Sequence, residues 1–230
     1  VIRHRMFGRP FPTSRGRNAV LAGAVALAAA AAVIAPAALP TAMLPSASAA
    51  CPDIEVVFAR GTNDSPGVGR VGNAFIGSLR SQVGGRSVGA YGVNYPASYD
   101  FRAAADGAND ASAHVQDMAN NCPDTRLVLG GYSQGAAVID VVAAAPVPGL
   151  GFSAPLPAEA ADHVAAIAVF GNPSARMGQP LTNSPTWGPK TIDLCADGDP
   201  VCSDGQNFSA HSGYTPGLTN QAAAFVAGLV

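Results

Sequence analysis

Five residues near the middle of the chain, Gly131-Tyr132-Ser133-Gln134-Gly135, set a hydroxyl nucleophile in G-x-S-x-G spacing. That spacing suits a nucleophile elbow, a strained strand-to-helix turn that lifts a serine hydroxyl above a sheet. The same five residues also arise by chance at a glycine-rich strand end, so their context has to decide. Serine alone is a weak nucleophile: it needs a base, and the base needs an orienting acid. On sheets of the α/β-hydrolase type these follow in the chain order serine, acid, histidine. Of the four histidines, His4 lies in an arginine-rich leader, and His114 precedes the serine and reads as a surface or packing residue. His163 abuts a strand start, at the amino end of a sheet. His211, in the loop "NFSAHSGY", can hang over the strand ends and is the expected base.

The acid is expected after a strand at 191–194, where Asp193, Asp197, Asp199 and Asp204 are candidates. Asp193 lies within the strand. Asp197 and Asp199 sit inside "CADGDPVC", a stretch rich in turn formers, and the residues alone do not rank one above the other. Acyl transfer also needs donors aimed at the developing oxyanion. The backbone N–H of Gln134 is one candidate. Thr62, in "FARGTND" after the first strand, is another, through its N–H and its hydroxyl.

These groups require a scaffold, and the chain supplies an alternating one. Apolar, β-branched runs predict strands at 54–59, 87–95, 126–131, 164–171 and 191–195. Helices are predicted at 71–83, 103–120, 134–144 and 218–229, the second with Ala108, Ala111, Val115 and Met118 along one face. Gly, Pro and Asn mark 61–72 and 146–157 as loops. Wholly apolar strands alternating with helices imply a parallel sheet covered on both faces, with ligands beyond the carboxyl ends of its strands. The strand before Ser133 and the helix after it are what an elbow needs. No stretch is long enough for a large lid domain.

Charge is segregated along the 230 residues. The first 50 carry five arginines and no acid, leaving eight basic against fifteen acidic residues beyond. An acidic body without a Lys/Arg cluster argues against a nucleic-acid partner. The basic leader, the apolar run 19–35 and Ala47-Ser48-Ala49 read as an export signal and cleavage region over 1–49, with a folded domain at 50–230. The alternative is a retained anchor, but the run is short and followed by Pro36, Pro40 and Pro45. Met6 is an alternative start to Val1. Four cysteines in an exported chain imply two disulfides. Three pairings can be drawn; Cys195–Cys202 closes the shortest loop and leaves Cys51–Cys122. C-x6-C is not a usual zinc spacing, and no metal or cofactor is expected.

Taken together, "ARGT", "GGYSQGA", "CADGDPVC" and "HSGY", in that order, resemble the cutinase family of serine esterases, over about residues 51–229. The resemblance implies an α/β-hydrolase-type, three-layer sandwich around a five-stranded parallel sheet without a large lid. It implies Ser133 as nucleophile, His211 as base and Asp199 as acid, which separates Asp199 from Asp197. It matches Thr62 and Gln134 to the oxyanion hole, and the disulfides to Cys51–Cys122 and Cys195–Cys202. The implied activity is hydrolysis of carboxylic esters through an acyl-enzyme, on short-to-medium acyl chains, lipids or cutin-like polyesters. The expected partner is a small-molecule or lipid ester, with transient contact with lipid surfaces, in a secreted or cell-wall-associated monomer. The alternatives are a phospholipase or acyltransferase using the same triad, and a secreted lipid-binding protein without turnover.

Overall fold

A computed structural model describes residues 50–145 and 147–230; the expected export signal at 1–49 lies outside the described residues. In chain order the main elements are β1 (Ile54–Ala59), α1 (Gly69–Gln82), β2 (Val88–Gly92), α2 (Ala104–Asn121), β3 (Arg126–Tyr132), α3 (Gln134–Ala144), α4 (Ala158–Ala161), β4 (Val164–Phe170), β5 (Thr191–Leu194) and α5 (Gly217–Ala227). The five strands form one sheet in the order β2-β1-β3-β4-β5, every pair parallel. Parallel strands need crossovers, and here helices provide them on both faces.

The alternation of side chains along β1 divides the core. Ile54, Val56 and Phe58 point to one face and pack with Val71, Phe75 and Leu79 of α1 and Ala222, Ala223 and Val226 of α5. Val57 and Ala59 point to the other and pack with Ala108, Ala111 and Val115 of α2 and Val138, Ile139 and Val142 of α3. The result is three layers. Both disulfides form as expected, with Cα–Cα distances of 5.6 Å for Cys51–Cys122 and 5.8 Å for Cys195–Cys202. No helix among the described residues is long and apolar enough to cross a membrane.

The chain leaves β1 outward to β2 and then returns to β3 on the opposite side. The order of strands therefore reverses between β1 and β3, where doubly wound sheets open a crevice for ligands. The carboxyl ends of those strands lead directly to Gly61-Thr62 and to Ser133-Gln134, with Ala59 paired to Gly131.

The strand expected at 87–95 ends at Gly92. Its continuation is taken by Arg60, whose buried guanidinium donates to the carbonyls of Val93 (3.2 Å) and Tyr95 (2.6 Å) and, through Nε, to that of Asp64 (2.9 Å). These bonds replace a sheet ladder and clamp the loop bearing Thr62. The expected helix at 103–120 is preceded by a 3₁₀ turn at Phe101–Ala103. Within the expected loop at 146–157, Gly149 and Phe152 pair as a small hairpin.

The elbow leaves no space for a methyl group at its glycines. A Cβ on Gly131 would lie 2.3 Å from the carbonyl oxygen of Gly135, and one on Gly135 would lie 1.9 Å from that of Ala59. Backbone cannot yield as a flexible side chain does, so Gly135→Ala should destabilise the protein by about 1–3 kcal/mol or more. The measurement is a urea or thermal midpoint; a midpoint equal to that of the parent would show that the contact between α3 and β1 is looser than described.

Candidate active site

Ser133 is the N-cap of α3 and adopts φ 57°, ψ −118°. Positive φ is rare for a residue with a side chain and costs energy unless neighbours hold it. Here Ser133 N donates to Phe170 O (2.8 Å) while its carbonyl accepts from Ala136 N (2.9 Å), so β4 on one side and α3 on the other fix the turn. The hydroxyl is thereby presented at the carboxyl rim of the sheet, beside the strand-order reversal.

His211 comes from a 3₁₀ turn at Phe208–Ser212, begun by Asn207, whose side-chain oxygen accepts from Ser209 N (3.1 Å). Its Nε2 lies 2.9 Å from Ser133 Oγ and its Nδ1 lies 2.7 Å from Asp199 Oδ2. A serine, a histidine and an aspartate far apart in the chain thus form one continuous hydrogen-bonded line. Of the acids weighed from the sequence, only Asp199 joins it. Asp197 hydrogen-bonds neither histidine nor serine among the described contacts, and Asp204 pairs at the surface with Arg176. Asp193 lies in β5 and accepts from Asn172 Nδ2 (3.2 Å). His114 stacks flat on Tyr91 (3.6 Å between ring centroids) and pairs with Glu55; His163 immediately precedes β4, its carbonyl accepting from Leu127 N. Both fit the packing and amino-end positions expected of them.

Asp199 has no solvent exposure. Burial works to raise its pKa, yet hydrogen bonds from Tyr214 Oη (2.5 Å), from His211 and from Val201 N (2.8 Å) overcome that and hold it below the ordinary carboxylate range. Donors to the ionised form outweigh desolvation here. The turn that carries the acid is closed by the Cys195–Cys202 bridge and tied to the histidine loop by Asn207 N to Gly198 O (2.9 Å).

Several supporting residues were not foreseen. Tyr132, immediately before the serine, donates to His211 O (2.5 Å) and lays its ring against the imidazole (5.0 Å between centroids). Burial pushes its phenol up to about 12, so it stays a donor throughout the physiological range. Tyr214 was visible only as the last letter of "HSGY". Arg70 reaches from α1 to Thr215 Oγ1 (2.9 Å) and Ser212 O (3.0 Å), steadying the histidine loop. Beside Ser133 in the chain, the Gln134 side chain accepts from Thr62 Oγ1 (3.2 Å at Oε1) and donates from Nε2 to Ser98 O (3.1 Å). The Gln134 side chain therefore ties the start of α3 to two loops. Its backbone N–H, at the first position of α3, has no acceptor within the helix and is open to an anion.

The sequence model of the Cutinase family matches residues 50–230. The chain is 60% identical over 224 residues to Phospholipase Culp4 of Mycobacterium tuberculosis, across 96% of this chain and 99% of that protein. It is 53% identical over 186 residues to Carboxylesterase Culp1 of the same organism, across 77% of this chain and 81% of that protein. Among solved structures, a Trichoderma reesei cutinase bound to a phosphonate inhibitor matches with a TM-score of 0.64 at 34% identity, over 78% of this chain and 77% of that one. The catalytic core of a Trichoderma reesei acetylxylan esterase matches with a TM-score of 0.63 at 29% identity, over 78% of this chain and 100% of that one. Sheet, helices and relatives define a carboxylic ester hydrolase on an α/β-hydrolase-type scaffold. Within that class, the chain belongs to the cutinase family.

A second group of carboxylates, of opposite character, joins α3 to β5. Asp140 of α3 pairs with Ser174 Oγ, and its other oxygen is buried without a partner. Burial pushes Asp140 up to about 6, and burial with the charge of Asp140 pushes Asp193 up to about 7. Both then keep protons in the fold at pH values where the unfolded chain, with carboxyls near 3.8, has lost them. The contribution of these two groups to stability therefore falls as pH rises from about 4 to about 7 and then levels off. Asp193→Asn keeps an acceptor for Asn172 and removes the charge. It should match the parent near pH 4 and exceed it by about 1 kcal/mol or more at pH 8, a Tm rise of about 2–4 °C. Equal melting at both pH values would remove Asp193 from the acid group.

Proposed function

We propose that Ser133, His211 and Asp199 hydrolyse carboxylic esters through an acyl-enzyme. The observation that carries this reading is the line from Ser133 Oγ to His211 Nε2 (2.9 Å) and from Nδ1 to Asp199 Oδ2 (2.7 Å). Ser133 Oγ attacks the ester carbonyl as His211 Nε2 takes its proton. The carboxylate of Asp199 holds Nδ1–H, orienting the ring and stabilising the imidazolium. The Gln134 N–H receives the oxyanion, and the Thr62 hydroxyl turns from Gln134 Oε1 to donate to it as well. His211 then protonates the leaving alcohol, and a water deprotonated by His211 releases the acid and restores Ser133. No part of this requires a metal or cofactor.

The substrates are esters of short-to-medium acyl chains, lipids among them. The relative named a phospholipase, at 60% identity over nearly its whole length, supports glycerophospholipid carboxylic esters as a second substrate group cleaved by the same chemistry. Residues 1–49 act as an export signal, and the domain at 50–230 works outside the cell as a monomer. The oxidised state of all four cysteines supports that compartment.

Ser133→Ala should lower kcat/KM on p-nitrophenyl butyrate by about a thousandfold or more and abolish labelling by a fluorophosphonate, with a nearly unchanged melting temperature. Full labelling or full activity in that variant would refute the assignment. Tyr214→Phe removes a hydrogen bond to a buried charge, a loss of about 1.5–3 kcal/mol, and should lower kcat about tenfold or more with little change in KM. Because Asp199 then loses a donor, the variant should also begin to unfold at a higher pH on acidification. An unaltered acid limb together with an unaltered kcat would mean that Tyr214 only fills space.

A further inference from the structure

The beginning of α2, the far end of α3 and the hairpin at 147–152 enclose a groove of about 810 Å³ that contains no member of the proposed triad. Phe101, Ala105, Val141, Val147, Leu150 and Phe152 line it. Arg102 is the one charged residue on its wall, and that guanidinium turns out to solvent to pair with Asp100. Large apolar side chains stand in water around it: Phe101 is 61% exposed, Val147 66% and Leu150 wholly. An apolar surface of this extent is a binding feature unless something covers it.

The hairpin is built to hold that surface out. Its base is pinned to α2, where Asn109 Nδ2 donates to Gly151 O (2.9 Å), Asn109 Oδ1 accepts from Ser153 N (2.8 Å), and Ser112 Oγ donates to Ala154 O (2.6 Å). Its tip is closed by reciprocal bonds between Gly149 and Phe152. Leu150 sits there at φ 50°, a left-handed conformation costly for leucine, with its side chain fully in solvent.

Two segments of chain lead from the proposed site to the walls of the groove. Ser98, whose carbonyl accepts from Gln134 Nε2, leads in three residues to Phe101 at the groove. The helix α3 begins beside Ser133 and carries Val141 into the groove eight residues on, about 12 Å along its axis. A peptide or sugar laid in such a groove would leave its N–H, C=O or hydroxyl groups unpaired, whereas hydrocarbon leaves none.

We propose that this groove receives the alkyl chain of a long-chain ester whose carbonyl lies at Ser133, and that Phe101, Val147 and Leu150 set the preference for chain length. The inference rests on the assignment of Ser133 above, and the test separates the two. Val147→Ser/Leu150→Asn makes the tip polar while Asn tolerates the left-handed backbone; Phe101→Ser alters the opposite wall without touching the hairpin. The ratio of kcat/KM for p-nitrophenyl laurate to that for the butyrate, measured on dissolved monomeric ester, should fall about tenfold in each variant, mainly through KM. An unchanged ratio in both would overturn the proposal. Independently of turnover, dansylaminoundecanoic acid should bind Ser133→Ala protein, and adding Val147→Ser/Leu150→Asn should weaken it about tenfold; undiminished binding overturns the groove assignment even where Ser133 is the nucleophile. Parent protein that binds the probe but cleaves neither ester refutes the Ser133 assignment instead. Self-association dispersed by the hairpin variant would put a second copy in the groove. Loss of vesicle binding without change in the ratio would make it a membrane contact. Either result overturns the proposal.

Discussion

The arrangement at the rim of the sheet depends on keeping one carboxylate ionised where no water reaches it. Asp199 has no exposed surface, and an ion so placed without partners would take up a proton rather than remain charged. It remains charged because a phenol, an imidazole and a main-chain N–H all point at it. The rest of the acid's surroundings serve to hold those donors. The disulfide ring fixes the turn, Asn207 ties that turn to the histidine loop, and Tyr214 is anchored in the core among Phe170 and Tyr132. Removing one donor therefore alters the ionisation of the acid as well as its position.

A second constraint runs through the nucleophile. The backbone at Ser133 is unfavourable by itself, and the sheet stabilises it through packing tight enough to exclude even a methyl group at Gly135. The same closeness brings the first turn of α3 against the end of β1, where the Gln134 side chain accepts from Thr62 Oγ1. Ser133 and Thr62 thus reach a common place for one reason: both follow strands that flank the reversal of strand order. Arg60 completes this by holding the β1 loop through three carbonyls rather than through sheet pairing.

How much of this could be read in advance follows from the range of each interaction. Strands β1, β3 and β4 and helix α3 are apolar runs bounded by clear breakers, and the sequence predicts them within about two residues. Ser133 and His211 stand out in the sequence because an elbow has a local signature and a loop histidine before the last helix has few competitors. Asp197 and Asp199 could not be separated by composition, since both occupy the same turn; their difference lies in which one faces Tyr214 and His211, and only the family resemblance ranked them. Tyr132, Tyr214, Arg60 and Gln134 appear in the sequence only as letters of the motifs, and nothing there signals what their side chains touch. Each acts on residues 15 to 79 positions away or on main-chain atoms, and neither periodicity nor spacing encodes such contacts. The hairpin at 147–152 reads only as a Pro/Gly loop, because its register and its pins to Asn109 and Ser112 are tertiary.

Asp193 and Asp199 show why burial alone does not predict the state of a carboxylate. They lie six residues apart, at the end of one strand and in the turn after it, Asp193 partly buried and Asp199 fully so. Asp199 meets three donors and is held below its ordinary pKa; Asp193 meets one amide and a neighbouring acid, Asp140, and is pushed up to about 7. Desolvation acts in the same direction on both, so the donors and the neighbouring charge decide the outcome. An anion fit to orient an imidazole and a carboxyl that prefers to stay neutral thus arise from the same residue type in the same short stretch. The raised pair lies on α3 and at the end of β5, whereas the anion lies in the turn that meets His211.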